Sequence, residues 1–265
     1  LPLPSKIVKK EDNKAVFQID ALYPGYGVTL GNSLRRVLIS SLEGTAVTQL
    51  KIKGVPHEFS VIPGVVEDVI TIMLNLKKMR FKVFSDEPQK AFLRIKGEKE
   101  VKSGDFELPS QVELINKGVH IATITDKKTE LELEIQIEKG LGYVPVERRK
   151  KEKAEVGALF LDAIFTPVKR VTFNVENMIV GERTDFDRLN LEIETDGTIT
   201  PEEAFFQALD ILIKYFSLLF DDLKIKIEVE ETKKEKKAAA GKIRAKKPVR
   251  KTAKVKVRKA KKGNK

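Results

Sequence analysis

The side chains that most often carry catalysis or bind metals are sparse in this 265-residue sequence. Cysteine is absent, which excludes a disulfide framework, thiol catalysis and thiolate-bound zinc or iron–sulfur centres. The two histidines, His57 and His120, lie far apart, and we interpret Glu67 and Asp68 as the acidic start of a helix rather than as an acid–base group with His57. We therefore predict that the chain carries no catalytic residue, no bound metal and no cofactor.

A glycine-rich turn at Gly25–Gly31 is the one segment that resembles a ligand-binding motif. Its spacing is G-x-G-x-x-x-G, whereas the dinucleotide fingerprint is G-x-G-x-x-G followed by an acidic residue after the next strand. Here the following strand ends at Lys51–Gly54, without an acidic residue. We interpret the glycines as a tight turn that allows a close helix approach. A small-molecule enzyme that binds a nucleotide at this turn is an alternative.

The net charge of +11 is unevenly distributed along the chain. Residues 233–265 hold 17 Lys and Arg but only one acidic residue, Glu235, whereas the remainder carries a net charge of −5. The composition of this basic tail predicts disorder and non-specific attraction to phosphates. A solvated tail that aids solubility or contacts ribosomal RNA is the other interpretation, and a stand-alone nucleic-acid-binding protein is the alternative function. The tail residues predicted to contact nucleic acid are Lys246, Lys247, Arg250, Lys251 and Arg258.

Most of the remaining chain shows the period-two alternation of half-buried strands. The clearest cases are Glu130–Glu138, Val171–Val175, Leu189–Glu194 and Ile225–Glu230. Further strands are predicted at Val16–Asp20, Val47–Lys53, Ala91–Lys96 and Val112–Thr125.

Two helices are predicted in the first third of the chain. The first spans about residues 30–42, with Thr29 as its N-cap and with Leu34 and Leu38 on its core-facing stripe. The second spans about residues 65–77. Its predicted inward residues are Val66, Val69, Ile70, Met73 and Leu74.

The face of the first helix opposite its core stripe carries Asn32, Arg35 and Arg36. Ordinary solvation is one interpretation of this face. The other is a docking surface on which Arg36 pairs with an acidic group of a partner.

The third predicted helix, at 201–220, begins with the capping signature Thr200-Pro201-Glu202-Glu203. Its apolar residues cover about two-thirds of its circumference, more than the roughly 100° stripe that a surface helix needs. The surplus indicates either burial in a single core or packing against a second subunit. Because strands and helices do not alternate strictly, we predict an α+β fold in which one subdomain interrupts another.

Several motifs resemble those of the N-terminal domain of bacterial RNA polymerase alpha subunits. The longest is Gly25–Leu38, and the same order is kept by Ile62–Asp68, Gly142–Pro145 and Asp196–Ala204. The resemblance spans about residues 16–220. It implies a non-catalytic, homodimeric scaffold that assembles the beta and beta-prime subunits of a DNA-directed RNA polymerase, a nucleotidyltransferase whose magnesium and catalysis belong to those large subunits.

The resemblance also implies a domain organisation. The dimerisation subdomain would be split into residues 1–46 and 171–232, the strand-rich insert subdomain would span 47–170, and the disordered basic tail would span 233–265. The tail occupies the place where family members usually carry a small helical DNA-binding domain, for which too few residues remain. We expect a cytoplasmic, nucleoid-associated protein with no membrane partner.

Specific contact residues follow from the same resemblance. Asn32, Arg35 and Arg36 are expected to face the beta subunit, with Arg36 the most important of the three. The residues expected at the dimer interface are Leu34, Leu38, Phe205, Leu209, Leu212, Phe216 and Leu219.

Overall fold

A computed structural model describes residues 3–149 and 157–244. The chain divides into two units between Ile213 and Lys214. In chain order the elements are β1 (Lys6–Glu11), β2 (Lys14–Leu22), α1 (Tyr26–Ser40), β3 (Glu43–Ile52), α2 (Val69–Leu76), β4 (Phe81–Val83), β5 (Gln89–Lys96), β6 (Lys99–Lys102), a 3-10 turn (Ser103–Asp105), β7 (Val112–Leu114), β8 (His120–Ile124), β9 (Glu130–Leu141), β10 (Tyr143–Val144), α3 (Val146–Arg149), β11 (Ala158–Phe160), β12 (Ala163–Ile164), β13 (Val168–Val180), β14 (Arg183–Thr195) and α4 (Pro201–Arg244). The predicted α+β class is confirmed.

One antiparallel sheet has the strand order β1-β2-β14-β13, and α1 packs against β13 and β14. In the register of this sheet Leu191 lies opposite both Phe17 and Phe173. Leu34 and Leu38 of α1 meet this sheet in a buried cluster that also includes Ile193, Ala204 and Phe205. This core fixes the position of α1.

A second antiparallel sheet has the order β11-β3-β9-β5 and encloses a separate hydrophobic cluster with α2 and the two-stranded sheets β4–β7 and β6–β8. The alternation predicted in β9 is confirmed, because Leu131, Leu133, Ile135 and Ile137 are all buried. The segment predicted as one strand at Val112–Thr125 instead forms two, β7 and β8, which pair with different partners.

The prediction for the start of α1 was wrong. The helix begins at Tyr26 after a left-handed Gly25 at φ +84°, so Thr29 lies in the first turn and is not the N-cap. The first turn is held by the carboxylate of Asp187, which accepts hydrogen bonds from the backbone N–H groups of Gly25 and Gly27. A helix start fixed by a distant strand leaves no local capping signal in the sequence.

The prediction for α2 was wrong in its start and in part of its inward face, where Val69 is buried and Met73 packs against the core as predicted but the other three residues do not. Val66 N–H donates to the carbonyl of Thr123 at 3.0 Å, so the segment before Asp68 follows β8 and cannot be helical. Asp68 is the N-cap and accepts from Thr71 N–H at 2.8 Å. The buried residues are consequently Val69, Ile72, Asn75 and Leu76, whereas Val66, Ile70 and Leu74, which were predicted to point inward, are exposed.

The start of α4 is as predicted, but its end is not. Thr200 N–H donates to Glu203 Oε2 and Glu203 N–H donates to Thr200 Oγ1, which forms a reciprocal capping box. The helix continues to Arg244, so the strand predicted at Ile225–Glu230 and the disorder predicted from residue 233 are wrong as far as residue 244. The alanine-, lysine- and glutamate-rich sequence after Glu230 favours a helix, and alternation alone forms no strand without a partner to pair with.

Candidate docking surfaces

The glycines of the Gly25–Gly31 turn allow α1 to approach its sheet closely. A Cβ on Gly27 would lie 2.7 Å from Val175 Cγ1, and one on Gly31 would lie 2.6 Å from Phe173 Cδ2. Such separations are shorter than any van der Waals contact, so larger residues at these two positions would push the helix outward. The predicted close helix approach is therefore supported by the geometry, whereas the predicted tight turn is confined to the left-handed Gly25, since the chain is helical from Tyr26 onward.

The outer face of α1 presents one continuous stripe to solvent. Asn32, Arg35 and Arg36 are all exposed, as are the apolar residues Val28 and Ile39 at either end of the same face. Among the described residues, neither guanidinium has an acceptor within hydrogen-bonding or ion-pair distance. Two unpaired arginines flanked by apolar side chains form a surface suited to bidentate recognition of carboxylates.

The first part of α4 belongs to the core of its own subunit. Phe205 is buried and stacks on Phe17 with ring centroids 4.6 Å apart. Leu209 and Leu212 are partly buried against the same cluster that contains Leu34 and Leu38. Five of the seven residues predicted at a dimer interface thus pack in the core of the single chain, and Leu34, Leu38 and Phe205 have little surface left for a partner.

The second unit begins with the most apolar exposed segment of the described chain. Between Tyr215 and Ile225, seven large apolar side chains are each more than half exposed; they are Tyr215, Phe216, Leu218, Leu219, Phe220, Leu223 and Ile225. Phe216 and Leu219, which were predicted at the dimer interface, are 64% and 57% exposed. Contiguous apolar surface of this kind marks a protein-interaction site.

The structure also joins two ionisable residues that sequence reasoning left apart. Glu67 Oε1 lies 2.8 Å from His120 Nε2, while Glu67 Oε2 accepts from Thr123 N–H at 2.6 Å. Burial disfavours the charged carboxylate, but the hydrogen bonds from His120 and Thr123 outweigh it and lower the pKa of Glu67. Because these groups satisfy one another, the arrangement fastens the loop before α2 to β8.

Asp187 is the other polar residue whose position sequence reasoning missed. It lies an even number of residues before Leu189, Leu191 and Ile193 in β14. The period-two pattern of a strand therefore places it on the same, core-facing side. A charged residue at an inward position was the available signal, because such a group needs a partner inside the protein.

Neither a metal site nor a membrane span is found in the described part of the chain. No three histidine or acidic residues there lie close enough to hold a metal ion, and no described helix is both long and apolar enough to cross a bilayer. The residues predicted to contact nucleic acid, Lys246, Lys247, Arg250, Lys251 and Arg258, lie outside the described residues.

Comparison with known proteins identifies the family. Residues 50–166 match the family model described as the RNA polymerase Rpb3/RpoA insert domain. The DNA-directed RNA polymerase subunit alpha of Symbiobacterium thermophilum is 44% identical over 237 residues, which cover 87% of this chain and 75% of the relative. The subunit of Syntrophomonas wolfei is 46% identical over 231 residues, covering 84% and 73%. The chain therefore belongs to the bacterial RNA polymerase alpha-subunit family.

Proposed function

We propose that this alpha subunit forms a homodimer on which the beta and beta-prime subunits of the polymerase assemble. Two surfaces support the proposal: the apolar segment Tyr215–Ile225 of α4 and the arginine-bearing stripe of α1. The chain serves as a scaffold and holds no catalytic residue or cofactor of its own, so the nucleotidyl-transfer chemistry belongs to the large subunits.

The main observation in favour of a dimer is the exposure of seven large apolar side chains within Tyr215–Ile225. Each such side chain contributes about 1.5–3 kcal/mol when it is fully buried rather than exposed. A two-fold interface brings the same patch of both subunits together, so the segment supplies both halves of the contact. A second copy of this chain is therefore its natural partner.

The dimer is tested by sedimentation velocity of the full chain at several concentrations. Phe216→Glu combined with Leu219→Glu places two charges on one side of the segment, since residues three apart share a helix face. We expect this double variant to sediment as a monomer, whereas Lys128→Glu, an exposed change outside the segment, leaves the dimer intact. A wild-type chain that is monomeric at all concentrations would contradict the proposal.

The surface that receives the large subunits is the α1 stripe containing Asn32, Arg35 and Arg36. A guanidinium binds a carboxylate through two parallel hydrogen bonds, which fix its orientation as well as its distance. The two-fold symmetry of a dimer displays this stripe twice. One copy then contacts the beta subunit, while the other subunit of the dimer faces beta-prime.

The basic tail supports a second, auxiliary function. Its 17 basic residues and single acid within residues 233–265 give a charge density that attracts phosphates irrespective of base sequence. The tail has no aromatic residue on which a base would stack, so electrostatic attraction is its available mode of binding. We infer that it contacts DNA non-specifically near the assembled enzyme and thereby associates with the nucleoid.

A further inference from the structure

A single buried carboxylate from another part of the chain caps the N-terminus of α1. Asp187 on β14 is only 7% exposed, and its Oδ2 atom accepts from the N–H groups of Gly25 at 2.9 Å and Gly27 at 3.0 Å. The N-cap residue Gly25 has no side chain with which to cap the helix, and the first turn contains no acidic residue. Asp187 thus satisfies the N-terminal donors and complements the positive end of the helix dipole.

The same contact sets the rotation of α1 about its own axis. Gly27 and Gly31 lie four residues apart on the face that packs against Val175 and Phe173. A Cβ on Gly27 would lie 3.0 Å from Asp187 Oδ2, so the carboxylate and the helix backbone meet without an intervening side chain. Because successive helical residues are separated by about 100°, fixing the Gly27 face also fixes where Arg36 projects.

We propose that Asp187 is a positioning residue for polymerase assembly. It is too buried to contact a large subunit, and it acts by holding the start and the rotation of α1 so that Asn32, Arg35 and Arg36 form a preorganised surface. Preorganisation raises affinity because the partner does not have to order the helix on binding. The inference rests on the proposed docking function of the α1 stripe.

The test compares two variants of the full chain with a control variant that is destabilised elsewhere in the protein. Asp187→Ala removes the acceptor, whereas Asp187→Asn keeps an oxygen able to accept both N–H groups. Leu93→Ala removes a buried side chain from the other hydrophobic cluster and serves as a control for general destabilisation. Binding of each folded variant to the purified beta subunit is measured below its unfolding temperature, together with hydrogen exchange of the amides in the first turn of α1.

Loss of a cap changes the equilibrium constant for helix formation by roughly twofold to thirtyfold, which corresponds to about 0.5–2 kcal/mol. We expect Asp187→Ala to lose affinity within that range and to exchange faster at Gly27–Leu30, and we expect Asp187→Asn to recover most of the binding. Leu93→Ala should bind normally. Unchanged affinity for Asp187→Ala, or an equal loss in Leu93→Ala, would overturn the inference.

Arg36→Ala belongs in the same experiment because it separates this inference from the function on which it rests. If Arg36→Ala loses binding and Asp187→Ala does not, the α1 stripe is the docking surface and Asp187 does not position it. If Arg36→Ala binds normally, the docking proposal itself fails. Faster first-turn exchange in Asp187→Ala without any loss of binding also overturns the positioning function.

Discussion

His120 bridges two carboxylates that lie on either side of its ring. Its Nε2 atom is 2.8 Å from Glu67 Oε1, and its Nδ1 atom is 3.3 Å from Glu100 Oε1. The bridge links the loop before α2 to β6 and β8 through charge-assisted hydrogen bonds.

Replacing Glu67 with Gln should destabilise the chain near neutral pH by about 1.5–3 kcal/mol, the range for hydrogen bonds to a charged group. The folded pKa of Glu67 is held below its usual 4.5, so this carboxylate stabilises the fold above that pH and loses its contribution as the pH falls through the folded value. Urea unfolding should therefore show a difference in free energy of unfolding between the wild type and Glu67→Gln that becomes smaller at acidic pH. Glu98→Gln, an exposed control, should change little; a pH-independent difference for Glu67→Gln would contradict the expectation.

Gly31→Ala should destabilise the chain by about 1–3 kcal/mol, although alanine is the better helix former. The added methyl would meet the ring of Phe173 at 2.6 Å and Leu189 Cδ1 at 3.0 Å, so α1 or the ring has to move. Thermal and urea unfolding measure the effect. Gly118→Ala is the matched control, because a Cβ there meets no atom within 4 Å. Equal stabilities of the two variants would show that α1 does not require the close approach.

Much of the strand architecture could be predicted because each strand carries its own alternation of buried and exposed residues. The alternation of Leu189, Leu191 and Ile193 predicted β14, and the Thr200–Glu203 capping box predicted the start of α4. The start of α1 could not be predicted locally, since a carboxylate on β14 fixes it. The start of α2 does carry a local signal in its N-cap Asp68, but the contact between Val66 and Thr123 that keeps the preceding residues extended is not local.

The candidate docking stripe was accessible from the sequence because Asn32, Arg35 and Arg36 share one helix face. The residues of the proposed dimer surface were harder to predict, since the periodicity of apolar residues along α4 does not separate those that face the core of the chain from those left for a partner. Only the positions in space separate Phe205, which stacks on Phe17, from the exposed Phe216.

Thr200→Ala should lower the free energy of unfolding by about 1 kcal/mol, because it removes the acceptor for Glu203 N–H and breaks the capping box. Helix content by circular dichroism and urea unfolding measure the loss. Thr200→Ser keeps the hydroxyl and should retain most of the stability. A Thr200→Ala chain as stable as the serine variant would show that the cap is unimportant to α4.

Removing residues 245–265, which contain 11 Lys and Arg, should lower the salt dependence of DNA retention by the full chain. Each phosphate contact contributes about 0.9 to the slope of log K against log salt concentration. The matched control carries a tail of the same composition in shuffled order, which should bind as well as the natural tail if recognition is non-specific. An unchanged slope after truncation would contradict a DNA-binding tail.

Docking of a large polymerase subunit on the α1 stripe of the alpha dimer is tested most directly by Arg36→Ala. The measurement is capture of the beta subunit by the full-length alpha dimer, with sedimentation velocity to verify that the dimer persists and with Lys128→Ala as a control for an exposed cation elsewhere. We expect Arg36→Ala to dimerise normally but to capture little beta subunit, whereas Lys128→Ala captures as much as the wild type. Full capture by Arg36→Ala would contradict this expectation.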